Sequence, residues 1–218
     1  MPWHGLLTSM ALSGRKLLLG MLAVLVLAVV PGIFLPSLMC RGDAPHLDDL
    51  GSLPHFSLLD EHGDPFTDDA LRGHPTIVSF LFTRCDTICP VTTAKMRRIQ
   101  EETFGDAIKL ASFSVDPTYD TPARLTEYAK RYTADPERWR FVTGPVQPMK
   151  DLLEGPFMTS MQQEGSDRPG GVPNIAHGGY FMLVDGTLRI RGAYDSNDIH
   201  RLDDLVHDAR YLARTQAR

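Results

Sequence analysis

Residues 76–82 read Thr-Ile-Val-Ser-Phe-Leu-Phe, a nearly continuous apolar and β-rich run. It lacks the polar–apolar alternation of a strand with one wet face. Such a run predicts a strand buried on both sides, as in a parallel or mixed sheet covered by helices. The next residues narrow the choice. Cys85-Asp86-Thr87-Ile88-Cys89-Pro90 separates the strand from Val91–Glu102, where Met96 and Ile99 share one helical face. Proline suits the first position of a helix, so Pro90 is predicted to open this one.

The remaining chain alternates in the same way. Phe56–Asp60 reads as a short strand followed by a turn at Glu61-His62-Gly63-Asp64, and Ile108–Val115 as the strand after the first helix. Asp120-Thr121-Pro122 opens a second helix carrying Leu125, Tyr128 and Ala129. Trp139–Thr143 is a strand, and Met149–Leu153 a short helix. Residues 164–174 form a Gly/Pro-rich loop. Tyr180–Asp185 is a strand that turns at Asp185-Gly186 into Leu188–Arg191, and Asp198–Ala213 closes the chain as a helix. Strands alternating with helices, then a hairpin and a last helix, predict an α/β sandwich of the thioredoxin type. No internal repeat is evident.

Ahead of this domain, residues 17–39 contain no charged side chain. About 20 apolar residues cross a bilayer as a helix. Arg15 and Lys16 precede the run, and Asp43, Asp48 and Asp49 follow it. The positive-inside rule then predicts a cytoplasmic tail at residues 1–16, a transmembrane helix at 17–39, a linker at 40–50 and an extracytoplasmic domain at 51–218. A cleaved signal peptide or a lipoprotein modified at Cys40 are the alternatives. However, Ser37-Leu38-Met39 offers no small-x-small cleavage site. The tail is short and not Arg-rich, which predicts a single-pass protein of a bacterial inner membrane, with its domain on the periplasmic side.

The net charge is −5 and no long basic run occurs. A nucleic-acid partner is therefore not expected, since phosphate binding needs a cationic surface. Three cysteines are too few for a disulfide-built scaffold. Two of them, Cys85 and Cys89, sit on one loop at the predicted start of a helix. Partial positive charge and free N–H groups there favour thiolates. Two thiolates so placed can close a disulfide, exchange with another disulfide, or clamp a soft metal. A purely structural disulfide is less apt, because so small a ring removes little chain entropy. A closed zinc site would usually need four ligands.

Of eight histidines, His46, His55, His62, His74, His200 and His207 are predicted to be solvated, and His4 belongs to the tail. His177 ends the Gly/Pro loop and opens the strand toward Asp185. In a thioredoxin-type sheet that loop faces the start of the first helix. Two thiolates and one imidazole make a trigonal soft site suited to copper(I). Asp116 is a candidate for shaping the site or for a turn role ahead of Pro117. Met158 and Met161 could offer thioethers, although core or hairpin packing is their commoner use.

At these residues the chain resembles the Sco/SenC copper chaperones. Phe82-Thr83-Arg84-Cys85-Asp86-Thr87-Ile88-Cys89-Pro90 is similar to that family's FTxCxxxCP signature. Ser114-Val115-Asp116-Pro117 with Asp120-Thr121-Pro122 is similar to its SVDPxxDTP segment. His177, eight residues before Asp185, matches the spacing of its ligand histidine. The resemblance spans roughly residues 52–213. It implies copper held by Cys85, Cys89 and His177. It also implies service to the dinuclear copper A centre of cytochrome c oxidase, by copper delivery, thiol reduction or both. The partner would be the copper-bearing oxidase subunit or another copper chaperone. A thiol–disulfide reductase and a redox or copper sensor are the rival readings.

Overall fold

The computed structural model describes residue 45 and residues 47–159, 163–164, 174–175 and 179–216. The expected tail and anchor, residues 1–39, lie outside them, as do Cys40, His46, Met161 and His177. Among the described residues no helix is long and apolar enough to cross a membrane.

The strands are β1 (Ser57–Asp60), β2 (Pro65–Thr67), β3 (Thr76–Leu81), β4 (Lys109–Ser114), β5 (Trp139–Thr143), β6 (Gln163–Glu164), β7 (Asn174–Ile175), β8 (Tyr180–Val184) and β9 (Ile190–Asp195). The helices are α1 (Ile88–Glu102), α2 (Pro122–Arg131), α3 (Val146–Glu154) and α4 (Ile199–Gln216), with a 3-10 turn at Asp68–Leu71. Among the described residues seven strands share one sheet in the order β2-β1-β5-β4-β3-β8-β9, and β6 pairs with β7 apart from it. Strands β3, β4 and β5 run parallel, while β8 and β1 flank them antiparallel. The α/β sandwich expected from the sequence is therefore present. Beyond that expectation the structure adds β2, which is too short for a periodic signal.

Every residue of β3 is buried, so both faces of the sheet are covered there. Helix α1 contributes Met96 and Ile99, α2 Leu125 and Tyr128, α3 Met149, Leu152 and Leu153, and α4 Leu205 and Ala209. Fully burying one such aliphatic side chain stabilises by roughly 1.5–3 kcal/mol. Continuous apolar strands carry no alternation to fix their register. A polar crossbar does so instead. The hydroxyls of Ser79 and Ser112 share a 2.7 Å hydrogen bond at the level where β3 and β4 pair them. Trp139 Nε1 donates to Ser112 Oγ at 2.9 Å from β5.

The parallel centre brings the ends of β3, β4 and β5 to one edge of the sheet, with the start of β8 beside them. At the opposite edge the β8–β9 turn spans Asp185–Arg189. Asp185 Oδ1 accepts hydrogen bonds from Thr187 N–H, Thr187 Oγ1 and Arg189 N–H at 2.7–3.1 Å. This loop is longer than a tight Asp-Gly turn because buried Leu188 takes the left-handed position, φ 69°. Gly186 is tightly placed: a Cβ there would lie 2.9 Å from the His74 backbone nitrogen. Part of the expected linker belongs to the domain. Asp48 and Leu50 donate backbone hydrogen bonds to Arg191 and Ile190 of β9.

Candidate functional site

Strand β3 delivers Phe82 and then the loop to α1. Helix α1 begins at Ile88, two residues before Pro90, so Cys89 lies in its first turn. That turn has free N–H groups, and the N-cap Thr87 makes no side-chain capping bond. Cys85 supplies the acceptor instead: its sulfur takes the Cys89 N–H at 3.4 Å and lies 3.6 Å from Thr87 Oγ1. Pro90 has no N–H to satisfy, so it costs nothing there. The two predicted cysteines are thus brought together at the helix mouth, unbridged, with Cys85 8% and Cys89 1% exposed.

The helix start does not make Cys89 acidic, contrary to expectation. Its hydrogen bond with the Cys85 sulfur and its burial push the Cys89 thiol well above the usual cysteine range. Burial in apolar surroundings disfavours the thiolate, and here it outweighs the partial charge of the helix end.

Two aspartates from the segment after β4 hold the loop. Asp116 Oδ2 pairs with Arg84, taking both Nε and Nη2 at 2.7 Å. The same guanidinium stacks on Tyr119, 4.6 Å from the ring centre. Asp116 therefore shapes the loop through the residue preceding Cys85. Asp120 is fully buried. It accepts from Thr83 N–H at 3.2 Å, Thr83 Oγ1 at 2.5 Å and Ser114 Oγ at 2.6 Å. Burial pushes its carboxyl up, against the pull of those hydrogen bonds, and nearby Asp116 adds to the rise.

Sequence reasoning assigned Asp120 to the start of α2 and missed this tie. The cap is Thr121, whose hydroxyl accepts from Arg124 N–H, and Pro122 is the first helical residue. Nothing local distinguishes a buried tie from a helix opener. The signal is three-dimensional: parallel pairing of β3 with β4 sets the two loops side by side.

His55, His62, His200 and His207 are exposed and His74 is half-buried. Met158 is 65% exposed, so it does not pack in the core as expected; its φ of 50° turns it outward while Phe157 takes the buried place. Among the described residues no three His, Cys, Asp or Glu side chains cluster as metal donors. The described donor set is two sulfurs, which suits a soft ion or another sulfur.

A thioredoxin-like sheet with a paired-thiol loop at the mouth of its first helix defines a thiol- or soft-metal-handling protein. The chain matches the SCO1/SenC family over residues 47–212 and belongs to that family. The SCO1 protein homolog of Bacillus subtilis (strain 168) is 29% identical over 157 residues, covering 71% of this chain and 79% of the relative. A Stutzerimonas stutzeri protein named for copper binding is 31% identical over 150 residues, covering 63% of this chain and 67% of the relative. The solved structure of BsSco is described as holding a disulfide switch in a member of the Sco family of cytochrome c oxidase assembly proteins. It superposes with a TM-score of 0.65 at 26% identity, covering 76% of this chain and 96% of BsSco.

Proposed function

We propose that this protein is a membrane-anchored copper chaperone that carries copper as cargo between Cys85, Cys89 and His177. It hands the ion to the copper A centre of cytochrome c oxidase, or exchanges it with another copper chaperone, on the periplasmic side of a bacterial inner membrane. The observation that carries this reading is the pair of unbridged sulfurs held at one helix mouth. Membership of a family with relatives named for copper binding and oxidase assembly supports it.

Cys85, the more exposed sulfur, is the one an arriving ion or partner meets first. Gly179 immediately precedes β8, and its carbonyl accepts from Ser196 N–H at 2.6 Å. Strand β8 pairs with β3, which ends in the thiol loop. His177 precedes β8 in the sequence, and this order supports it as the third ligand. The anchor at residues 17–39 keeps the domain at the membrane face where its client is assembled.

Copper(I) titration of the reduced full chain tests the reading. Wild type should take up copper stoichiometrically, and either Cys→Ser variant should lose it. His177→Ala should bind at least about tenfold more weakly, the loss of one of three ligands. Uptake by His177→Ala equal to wild type would remove the third ligand.

The reductase reading is favoured by the same unbridged thiols and by the disulfide switch described for BsSco. In it the Cys85 thiolate attacks a partner disulfide, releasing one partner thiolate, and Cys89 resolves the mixed disulfide, leaving a Cys85–Cys89 disulfide and a reduced partner. That reaction should survive His177→Ala and vanish in either cysteine variant. The pair of readouts therefore separates the two.

A further inference from the structure

Beside the thiol loop lies an open groove of about 620 Å³, lined by Thr83, Tyr119, Ala123, Arg124, Glu127 and Arg131. Its floor is continuous with the site, because Thr83 is two residues from Cys85 and is held by Asp120. Its charge is opposite in sign to that of the whole chain, which is −5. Arg124 stacks on the Tyr119 ring at 3.8 Å and donates to the Tyr119 carbonyl at 2.6 Å. Arg131 lies over the Tyr128 ring at 4.8 Å. Among the described residues neither forms an ion pair with a carboxylate within 4 Å. The one acid lining the groove, Glu127, is already bonded to Lys130 at 2.9 Å. Stacking two exposed guanidinium groups on aromatic rings fixes their direction and lowers the entropy lost when an anion arrives.

We infer that this groove docks an acidic polypeptide segment of a partner protein, steering that partner's cysteines toward Cys85. The inference deepens the chaperone reading and rests on it for the purpose of docking. The surface itself is defined by charge and shape alone. Carboxylates of the segment meet Arg124 and Arg131, while its apolar stems lie along Ala123 and the edge of the Tyr119 ring. Complementary charge of this kind acts chiefly on encounter rate and orientation, and is weakened by salt. A carrier that must meet its client briefly and then leave is served by such contacts.

The test is fluorescence anisotropy of the full-length protein with a labelled, cysteine-free peptide rich in Glu and Asp, against its Gln/Asn counterpart, at low salt. The acidic peptide should bind and the neutral one should bind at least about fivefold more weakly. Arg124→Glu with Arg131→Glu should weaken the acidic peptide about tenfold, and Arg131→Glu alone by less. Arg97→Glu, which makes the same charge change as Arg131→Glu alone but at an exposed site on α1, should stay within about twofold. Equal binding of both peptides, binding of neither, or equal damage from Arg97→Glu would overturn the inference. Because the peptide lacks cysteine and no metal is present, failure here leaves the copper reading standing. Failure of copper uptake with peptide binding intact would sink only the chaperone reading.

Discussion

Two loops at opposite ends of this sheet are each built around one buried aspartate, and they differ in where the partners come from. At the β8–β9 turn, Asp185 gathers two backbone N–H groups and a threonine hydroxyl from residues 187–189. At the thiol loop, Asp120 gathers a backbone N–H, a threonine hydroxyl and a serine hydroxyl from residues 83 and 114. The first is a local turn with a cation close by, Arg191 at 3.6 Å. The second reaches across 37 residues and has another carboxylate, Asp116, for a neighbour. A local arrangement positions only itself. A long-range one makes the placement of the cysteines depend on a different strand.

The largest effect should come from removing each carboxylate. Asp120→Ala leaves the half-buried Thr83 N–H and the buried Ser114 hydroxyl without their acceptor and should cost about 3 kcal/mol, against about 1–2 kcal/mol for Asp185→Ala, measured by urea unfolding. Copper uptake should fall in the first variant and persist in the second. Equal stability losses with equal uptake would break the comparison.

A smaller effect should appear with pH. The folded Asp120 carboxyl sits above its ordinary value of about 3.9. Its contribution is whole below that pH and is lost as pH rises through the raised folded value. Asp120→Asn has no such loss, so the variant should gain stability relative to wild type as pH rises from about 4 through the raised folded value. A stability difference that stays flat over this range would contradict the burial of an ionising group at this position.

The smallest effect belongs to single hydroxyls. Thr83→Val and Thr187→Val each remove one donor to a carboxylate and should cost about 1 kcal/mol in thermal or urea unfolding. Only Thr83→Val should alter the reactivity of the cysteines toward an alkylating reagent.

The same contrast explains what the sequence could reveal. The run at 76–82, the body of the helix at 91–102 and a turn at Asp185 announce themselves through neighbours in the chain, although that turn is longer than the tight Asp-Gly pair expected and its second strand starts at Ile190 rather than Leu188. The paired cysteines are legible because both partners lie on one loop. The Thr83–Asp120 and Arg84–Asp116 ties are not, since a residue that caps a helix and one that crosses to another strand look alike in one dimension. The start of α1 moved for a similar reason: a sulfur replaced the usual cap. Cys89 acidity was misread because burial beside a second sulfur outweighed the helix end.

The serine–serine–tryptophan crossbar bears on how faithfully this end of the molecule is assembled. If β3 slid by one residue against β4, the Ser79 hydroxyl would be stranded in a waterless layer and Ser112 would keep only its bond from Trp139. The cysteine loop would also be displaced by about 3.3 Å, one strand step. That shift would carry both sulfurs together away from the Asp116 and Asp120 ties that fix their loop, so a mispaired sheet would keep its layers and lose the geometry of its thiol site. Three polar atoms far from any chemistry thereby act as a proofreading check on the active end.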